Sequence, residues 1–126
     1  MQPARTRQEI ALVDDDLAVR ESLAFMLEVA GYQVAKYASA AEFLRACDLN
    51  HVKGLILDQY MPHVTGLELA SRLRRQGWKL PILLVTAWPS PAIVARAAEL
   101  GIKKVLQKPP VETDVIAFCA SAALDA

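Results

Sequence analysis

The 126-residue chain has little cysteine and no long hydrophobic run. Its two cysteines, Cys47 and Cys119, are isolated, with no CxxC pair and no histidine at ligand spacing. Neither a disulfide scaffold nor a zinc site is therefore supported. No stretch approaches the roughly 20 apolar residues that span a bilayer, and no apolar signal-peptide segment follows the basic N-terminus. We therefore predict a soluble, cytoplasmic protein without a membrane partner.

The chain also has no excess of either charge. Fourteen Lys and Arg balance fourteen Asp and Glu, so bulk electrostatics would not hold this domain to nucleic acid or to an anionic membrane. Hydrophobic residues make up 54% of the chain, which argues against disorder. No glycine-rich nucleotide-binding motif is present. The length predicts a single domain over residues 1–126, with residues 1–8 as a flexible N-terminal tail.

Short apolar runs alternate along the chain with longer segments of helical periodicity. Three of these runs are continuous blocks of leucine and β-branched residues, which is typical of strands buried on both faces of a parallel sheet. The predicted strands are residues 10–13, 32–37, 54–57, 81–85 and 103–107. Strands that alternate with helices in this way predict a doubly wound α/β domain.

The five predicted helices have recognisable ends. The first follows Asp16, carries Ala30 on its inward face and stops at Gly31. A capping box from Ser39 to Glu42 opens the second helix. The other three are bounded by residues that favour helix ends: the third stops at Gly77, the fourth begins near Pro91, and the fifth begins near Glu112.

Polar residues come directly after four of the five apolar runs. They are Asp14 to Asp16, then Asp58, Thr86 and Lys108. Because ligands of open α/β sheets bind beyond the carboxyl ends of the strands, we expect these groups to converge at one edge. Taken singly, each has a plainer interpretation as a helix cap, a turn residue, a loop hydroxyl or a surface charge. Their joint placement argues against coincidence.

The chemistry of this set favours phosphoryl transfer onto an aspartate. Clustered carboxylates repel one another unless a cation joins them, and Mg²⁺ suits a site with a few carboxylates and several waters. One carboxylate is then a nucleophile toward a phosphoryl group. The metal ion, the threonine hydroxyl and the lysine ammonium would stabilise charge on the transferring oxygens.

These residues and their surroundings resemble the response-regulator receiver domain of two-component signalling. The matching motifs are VDDD at 13–16, LDQYMPHVTGLEL at 57–69, LLVTA at 83–87 and QKPP at 107–110. The segments VRESLAFMLEVAGY and SAAEFL are most similar to the FixJ branch of bacterial transcriptional regulators. The resemblance implies a flavodoxin-like (βα)5 three-layer sandwich whose parallel sheet has the order 2-1-3-4-5.

The resemblance also implies a phosphoacceptor and a metal site. Asp58 would accept the phosphoryl group from a phosphohistidine on a sensor histidine kinase. Asp14 and Asp15 would hold Mg²⁺ together with Asp58 and the backbone carbonyl of Tyr60. The domain would then catalyse only its own phosphorylation and dephosphorylation.

Further implied roles fall on the residues that follow the fourth and fifth strands. Thr86 would hydrogen-bond the phosphoryl group and Lys108 would pair with it, while the peptide bond from Lys108 to Pro109 would be cis. The family usually has Phe or Tyr three residues before the lysine, as the partner of the threonine in the conformational switch. Here that position is Val105, so we expect signal transmission to differ.

Two further expectations concern surfaces. Trp88 and Tyr60 would flank the phosphoryl group and shield it from water; as an alternative, Trp88 is a packing or partner-contact residue. The fourth helix has little charge for an exposed element, and we predict that its face, with the fifth strand, forms a homodimer on phosphorylation.

Two other functions fit the sequence less well than a receiver. A haloacid-dehalogenase-like phosphatase also uses a strand-end DxD pattern, which Asp14 to Asp16 superficially supplies, but such enzymes have Thr or Val where this chain has Ala18. A pseudo-receiver that only binds partners is disfavoured by the complete set of site residues. The domain would serve as the input of a transcriptional regulator; alternatively, it is a stand-alone receiver that acts by protein–protein interaction or as a phosphate sink.

Overall fold

The computed structural model describes residues 9–124, so the predicted tail at residues 1–8 lies outside the described part of the chain. Strands and helices alternate along it: β1 (Glu9–Val13), α1 (Leu17–Val29), β2 (Gln33–Tyr37), α2 (Ala40–Ala46), β3 (Val52–Asp58), α3 (Gly66–Arg75), β4 (Ile82–Thr86), α4 (Pro91–Glu99), β5 (Lys104–Gln107) and α5 (Glu112–Leu124). A short 3₁₀ turn, Leu49–His51, precedes β3. None of the helices within residues 9–124 has the length and apolar character needed to cross a membrane.

The strands form one parallel sheet in the order β2-β1-β3-β4-β5, which confirms the predicted doubly wound topology. The central strand β3 is longer than predicted. It begins at Val52, which pairs with Glu9 before an irregularity shifts the register, and it continues through Asp58, which pairs with Val85. Asp58 is therefore held inside the sheet and does not belong to the loop that follows.

Side chains of alternating strand residues pack on opposite faces of the sheet, which explains the continuous apolar runs in the sequence. On one face, Leu12 and Ile56 pack with buried residues of α1 and α5, including Leu27 and Cys119. The other face packs against α2, α3 and α4; its core includes Val13, Phe43, Leu57, Leu73 and Ala97. The result is the predicted three-layer sandwich.

The ends of α1 agree with the sequence except at one position. Asp16 is the N-cap, and its side chain accepts a hydrogen bond of 3.1 Å from the Val19 N–H. Gly31 follows the helix with a φ of 103°, a left-handed conformation that glycine adopts without strain. The prediction that Ala30 faces the core was wrong, because Ala30 is the exposed C-cap, beyond the last helical residue Val29.

The capping box was predicted at the wrong helix. The Ser39 hydroxyl accepts the Glu42 N–H of α2 at 3.0 Å, but the reciprocal bond from Glu42 is not formed. The complete box opens α3: the Thr65 hydroxyl accepts the Glu68 N–H, and the Glu68 carboxylate accepts the Thr65 N–H at 2.8 Å. This box fixes the end of the loop that leads from Asp58 into α3.

Candidate functional site

The carboxyl edge of the sheet gathers three carboxylates and one ammonium group. One oxygen from each of Asp14, Asp15 and Asp58 lies within 4.8 Å of the others. The Lys108 Nζ is 2.9 Å from Asp14 Oδ2 and 3.2 Å from Asp58 Oδ1. Asp14 and Lys108 directly follow β1 and β5, while Asp58 ends β3. Parallel strand ends thus bring together residues as far apart in the sequence as Asp14 and Lys108.

The three consecutive aspartates have different environments. Asp14 is almost completely buried, and its Oδ1 accepts a 2.9 Å hydrogen bond from the Asp16 N–H. Asp15 is exposed and points its carboxylate into the cluster. Asp16 caps α1 and is not one of the clustered carboxylates. Arg20, which the sequence did not single out, donates from Nη1 to the Asp14 carbonyl oxygen at 2.7 Å and so holds the backbone of the site.

The site has more negative than positive charge. Asp58 is 4% exposed; burial, followed by repulsion from Asp14, raises its pKa to about 6, although Lys108 opposes the shift. Burial lowers the pKa of Lys108, but its contacts with Asp14 and Asp58 outweigh this effect, so its pKa is raised overall. One ammonium faces three carboxylates whose oxygens lie close together. The donor set therefore fits a small, hard divalent cation.

Hydrogen bonds of Gln59 hold the loop that follows Asp58. Its N–H donates to the Val85 carbonyl at 3.1 Å and its carbonyl accepts the Gly66 N–H at 3.0 Å. Its buried side-chain oxygen accepts the Leu67 N–H at 2.9 Å, which satisfies a donor in the first turn of α3. A Cβ on Gly66 would lie 2.5 Å from the Asp58 carbonyl oxygen, so only glycine fits there. The sequence signal for this role was a polar residue directly after Asp58.

Replacing Gln59 with leucine is expected to lower the free energy of unfolding by about 1–3 kcal/mol, because the buried Leu67 N–H loses its acceptor. Urea denaturation measures the change. Gln76→Leu is the matched control: Gln76 is exposed at the end of α3, and its replacement should change stability by less than about 0.5 kcal/mol. Equal effects of the two substitutions would refute a structural role for the Gln59 side chain.

Thr86 is the last residue of β4 and is fully buried. Its hydroxyl oxygen accepts the Trp88 N–H at 3.2 Å and donates to the Trp88 carbonyl at 3.4 Å. The hydroxyl is therefore bonded to the loop that leads into α4. The Trp88 side chain itself is 69% exposed.

Three other predicted positions lie around this edge. Tyr60 is 51% exposed, immediately beyond Gln59. Val105 is half-buried and packs against the core between the sheet and helices α2 to α4. The peptide bond from Lys108 to Pro109 is cis, as predicted.

Comparison with known proteins decides the family. The family model described as the response regulator receiver domain matches residues 10–119. The chain belongs to the response-regulator receiver family. This receiver is 36% identical over 108 residues to the transcriptional regulatory protein FixJ of Azorhizobium caulinodans, an alignment that covers 86% of the chain and 51% of that protein. It is 33% identical over 117 residues to FixJ of Bradyrhizobium diazoefficiens, covering 93% of the chain and 57% of that protein.

Solved structures agree with this assignment. A response regulator receiver protein from Pseudoalteromonas atlantica superposes with a TM-score of 0.85 at 22% identity, covering 91% of this chain and 96% of that one; it supports the fold. The receiver therefore spans about half the length of its FixJ relatives and nearly all of this solved chain. The family is a signalling domain, and phosphorylation-dependent switching is its function.

Proposed function

We propose that the receiver accepts a phosphoryl group on Asp58. The observation that carries this proposal is the contact of a buried Asp58 carboxylate with Lys108 Nζ at 3.2 Å, beside two further carboxylates. A carboxylate oxygen of Asp58 attacks phosphorus, the phosphorus–nitrogen bond of a phosphohistidine breaks, and its electron pair returns to the imidazole. Lys108 pairs with the negative charge on the transferring oxygens.

The acidic cluster supports a Mg²⁺ site formed by Asp14, Asp15, Asp58 and the backbone carbonyl of Tyr60. The carboxylate oxygens lie close enough together to share one ion, and hard oxygen ligands are those that Mg²⁺ prefers. When bound, the ion neutralises charge on the phosphoryl oxygens. Buried Asp14 and exposed Asp15 would each supply a carboxylate oxygen to the ion.

Incubation with acetyl phosphate and Mg²⁺ distinguishes this function from that of a phosphatase. We expect uptake of about one phosphoryl group per chain, because Asp58 is a stoichiometric acceptor. A haloacid-dehalogenase-like enzyme would instead hydrolyse a generic phosphomonoester over many turnovers. Sustained turnover of such an ester would contradict the proposal, as would the absence of any labelling.

The switch would begin at Thr86. For the hydroxyl to donate to a phosphoryl group on Asp58, it has to give up the bond that it donates to the Trp88 carbonyl. That exchange frees the loop before α4, whose N-cap is Ser90. Val105 supplies no aromatic ring for a second step, so the loop and α4 would carry the signal directly.

A groove beside Lys108 fits a protein phosphodonor such as a sensor histidine kinase. It lies between α1 and the start of α5, has a volume of about 890 Å³, and is lined mainly by apolar atoms, including those of Phe25, Met26, Val29 and Pro109. Phe25 and Val29 are 69% and 72% exposed, although both are large and apolar. Such a surface indicates a partner contact, and here it adjoins the site that receives the phosphoryl group.

Phe25→Ser is expected to slow transfer from a histidine kinase that phosphorylates this receiver by about tenfold or more, because a contact with the kinase is lost. Labelling by acetyl phosphate should not change, since Phe25 does not touch the reacting groups. The control is Val94→Ser, which removes an exposed apolar side chain from α4, outside the groove. Equal slowing with both donors would place the defect in the site itself and contradict a docking role.

The face of α4 and β5 supports homodimer formation on phosphorylation. Val94 is 45% exposed, the neighbouring Ala92, Ala95 and Ala98 are exposed, and the two charges of the helix pair with each other, Arg96 Nη1 lying 2.9 Å from Glu99 Oε1. Sedimentation should show a larger mass for the phosphorylated protein than for the unmodified one. Identical masses would refute dimerisation.

Tyr60 and Trp88 each lie two residues after a site residue, Asp58 and Thr86 respectively. We propose that their side chains shield the phosphoryl group from water. Trp88→Ala should then speed loss of the phosphoryl group by several-fold, measured after removal of the donor. Leu17→Ala, another exposed apolar residue, is the control and should leave the rate unchanged. Equal rates for wild type and Trp88→Ala would leave Trp88 as a packing or partner-contact residue.

The similarity to transcriptional regulators supports a role as the input domain of such a protein, located in the cytoplasm with its kinase. The relatives named FixJ are about twice as long as the matched region. A stand-alone receiver that acts by protein–protein interaction or as a phosphate sink is the alternative. In either case the domain catalyses only its own phosphorylation and dephosphorylation.

A further inference from the structure

Positive charge is concentrated in one stretch of the chain. Residues 72–104 contain seven Lys and Arg, half of the total of fourteen, and a single acidic residue, Glu99. The lysines of this stretch precede β4 and β5 or begin β5: Lys79, Lys103 and Lys104. Because parallel strands all begin at the same edge of a sheet, these lysines converge at the edge opposite Asp58.

These three lysines lack acidic partners within the described part of the chain. Between residues 9 and 124, no carboxylate oxygen lies within 4.0 Å of the side-chain nitrogen of Lys79, Lys103 or Lys104. The one acidic residue of the stretch, Glu99, pairs with Arg96. Among residues 9–124 the three lysines are therefore unpaired cations, and they add positive charge to this edge.

Arg74 fixes the shape of the same region. Its Nε donates to the Leu100 carbonyl at 2.7 Å, and its Nη1 donates to the carbonyls of Trp78 and Leu80 at 3.0 and 2.9 Å. These bonds tie the end of α3 to the loop before β4 and to the end of α4. The loops that carry the lysines are consequently held in place by a half-buried guanidinium.

A pocket of about 330 Å³ opens between these loops and the second half of α5. Apolar atoms of Ile82, Phe118 and Ala122 contribute to its walls, and Lys79, Lys103 and Lys104 also line it. Its volume is at the lower end of the range for ligand pockets, about 300–1,000 Å³. An apolar depression with a rim of unpaired cations is suited to an apolar anchor flanked by negative charge.

We propose that this edge of the receiver, lined by Lys79, Lys103, Lys104 and Phe118, binds an acidic segment of a partner protein that inserts one apolar side chain. Charge complementarity favours an acidic partner. The apolar wall favours a partner with an apolar side chain over a nucleic acid, because a phosphate backbone would contact the lysines alone. The surface lies at the edge of the sheet opposite Asp58. This proposal is therefore independent of the phosphoacceptor function.

The experiment titrates the isotopically labelled full chain with a synthetic glutamate-rich peptide that has one central phenylalanine. We expect amide shifts concentrated at Ile82, Gly101 and Phe118. The double variant Lys103→Glu/Lys104→Glu should weaken binding by about tenfold or more. Ala117→Trp, which obstructs the pocket without changing charge, should weaken it similarly and keeps the test valid if charge reversal disturbs the fold.

Matched controls decide between specific docking and general attraction. Lys36→Glu/Arg45→Glu makes the same change in net charge on β2 and α2, and it should leave peptide affinity within about twofold of wild type. A peptide with serine in place of phenylalanine should bind about tenfold more weakly. Equal binding of the serine peptide would overturn the proposal, as would equal loss in the control variant. Tighter binding of a single-stranded oligonucleotide or of anionic lipid vesicles at the same salt concentration would also overturn it.

Discussion

Replacing Asp58 with asparagine is expected to abolish phosphoryl uptake from acetyl phosphate, a fall of more than about a thousandfold in labelling rate. The amide lacks the anionic oxygen that attacks phosphorus, and it also removes one negative charge from the proposed metal site. Intact mass spectrometry of the protein incubated with donor and Mg²⁺ measures the result.

The neighbouring Asp16 supplies a matched control for this substitution. Asp16 caps α1 and lies outside the carboxylate cluster, and asparagine caps helices as well as aspartate does. Asp16→Asn should therefore be labelled like the wild type. Labelling of Asp58→Asn at the wild-type level would mean that another group is the acceptor.

Replacing Lys108 with methionine is expected to lower the free energy of unfolding by about 3 kcal/mol at pH 8 without Mg²⁺. The substitution leaves the carboxylates of Asp14 and Asp58 buried, at 2% and 4% exposure, without the cation that contacts both. Added Mg²⁺ should recover most of the loss, because it supplies a cation to the same oxygens. Urea denaturation with and without the metal ion measures both effects.

The stability lost on replacing Lys108 with methionine should decrease as pH is lowered. The pKa of Asp58 is about 6 in the folded protein, above the value of about 3.9 in an unfolded chain. Between these values the folded state binds more protons, so the free energy of unfolding contributed by Asp58 falls as pH rises from about 4 to about 6. Without Lys108, which lowers the Asp58 pKa, that window extends to higher pH. Lys108→Met should consequently recover stability as pH is lowered from 8 to 5.

A surface lysine provides the control for Lys108. Lys36 pairs with Glu21 at 3.1 Å in a largely exposed position, and Lys36→Met should cost less than about 1 kcal/mol at any pH in this range. If the two methionine variants lost the same stability at pH 8, the charge balance of the carboxylate site would not control stability.

The convergence of the site residues could be predicted because it depends on strand ends alone. Apolar runs located the strands, and a parallel sheet places their carboxyl ends at one edge. Asp14, Asp58 and Lys108 meet there, as expected. Errors of one or two residues at strand ends did not affect this result. The end of β3 was predicted one residue early, but Asp58 lies at the carboxyl end of the strand under either assignment.

The different roles of the three consecutive aspartates depend on tertiary contacts. The helix start after Asp16 was predicted, but the letters DDD do not reveal which of Asp14 and Asp15 is buried and which faces solvent. The side chain of buried Asp14 accepts the Asp16 N–H and contacts Lys108, which follows β5. The bonds of Thr86 to Trp88 and of Gln59 to Leu67 likewise depend on loop conformations that local sequence patterns do not report.

The balanced net charge concealed two opposite local excesses. The clustered aspartates give the carboxyl edge of the sheet a negative charge that the sequence predicts. The lysines of residues 72–104 gather at the opposite edge. This second excess was not predicted, because only the polar residues that follow the strands were considered. Position along parallel strands would have assigned Lys79 and Lys103 to one edge.

Chemical location of the phosphoryl group shows whether Asp58 is the acceptor. The receiver is labelled with acetyl phosphate and Mg²⁺, treated with borohydride, which reduces an acyl phosphate to an alcohol, and digested for peptide mass analysis. We expect conversion of Asp58 to homoserine, dependent on Mg²⁺, with no other aspartate converted. Conversion at Asp14 or Asp15, or a label retained on His51 or His63, would contradict it.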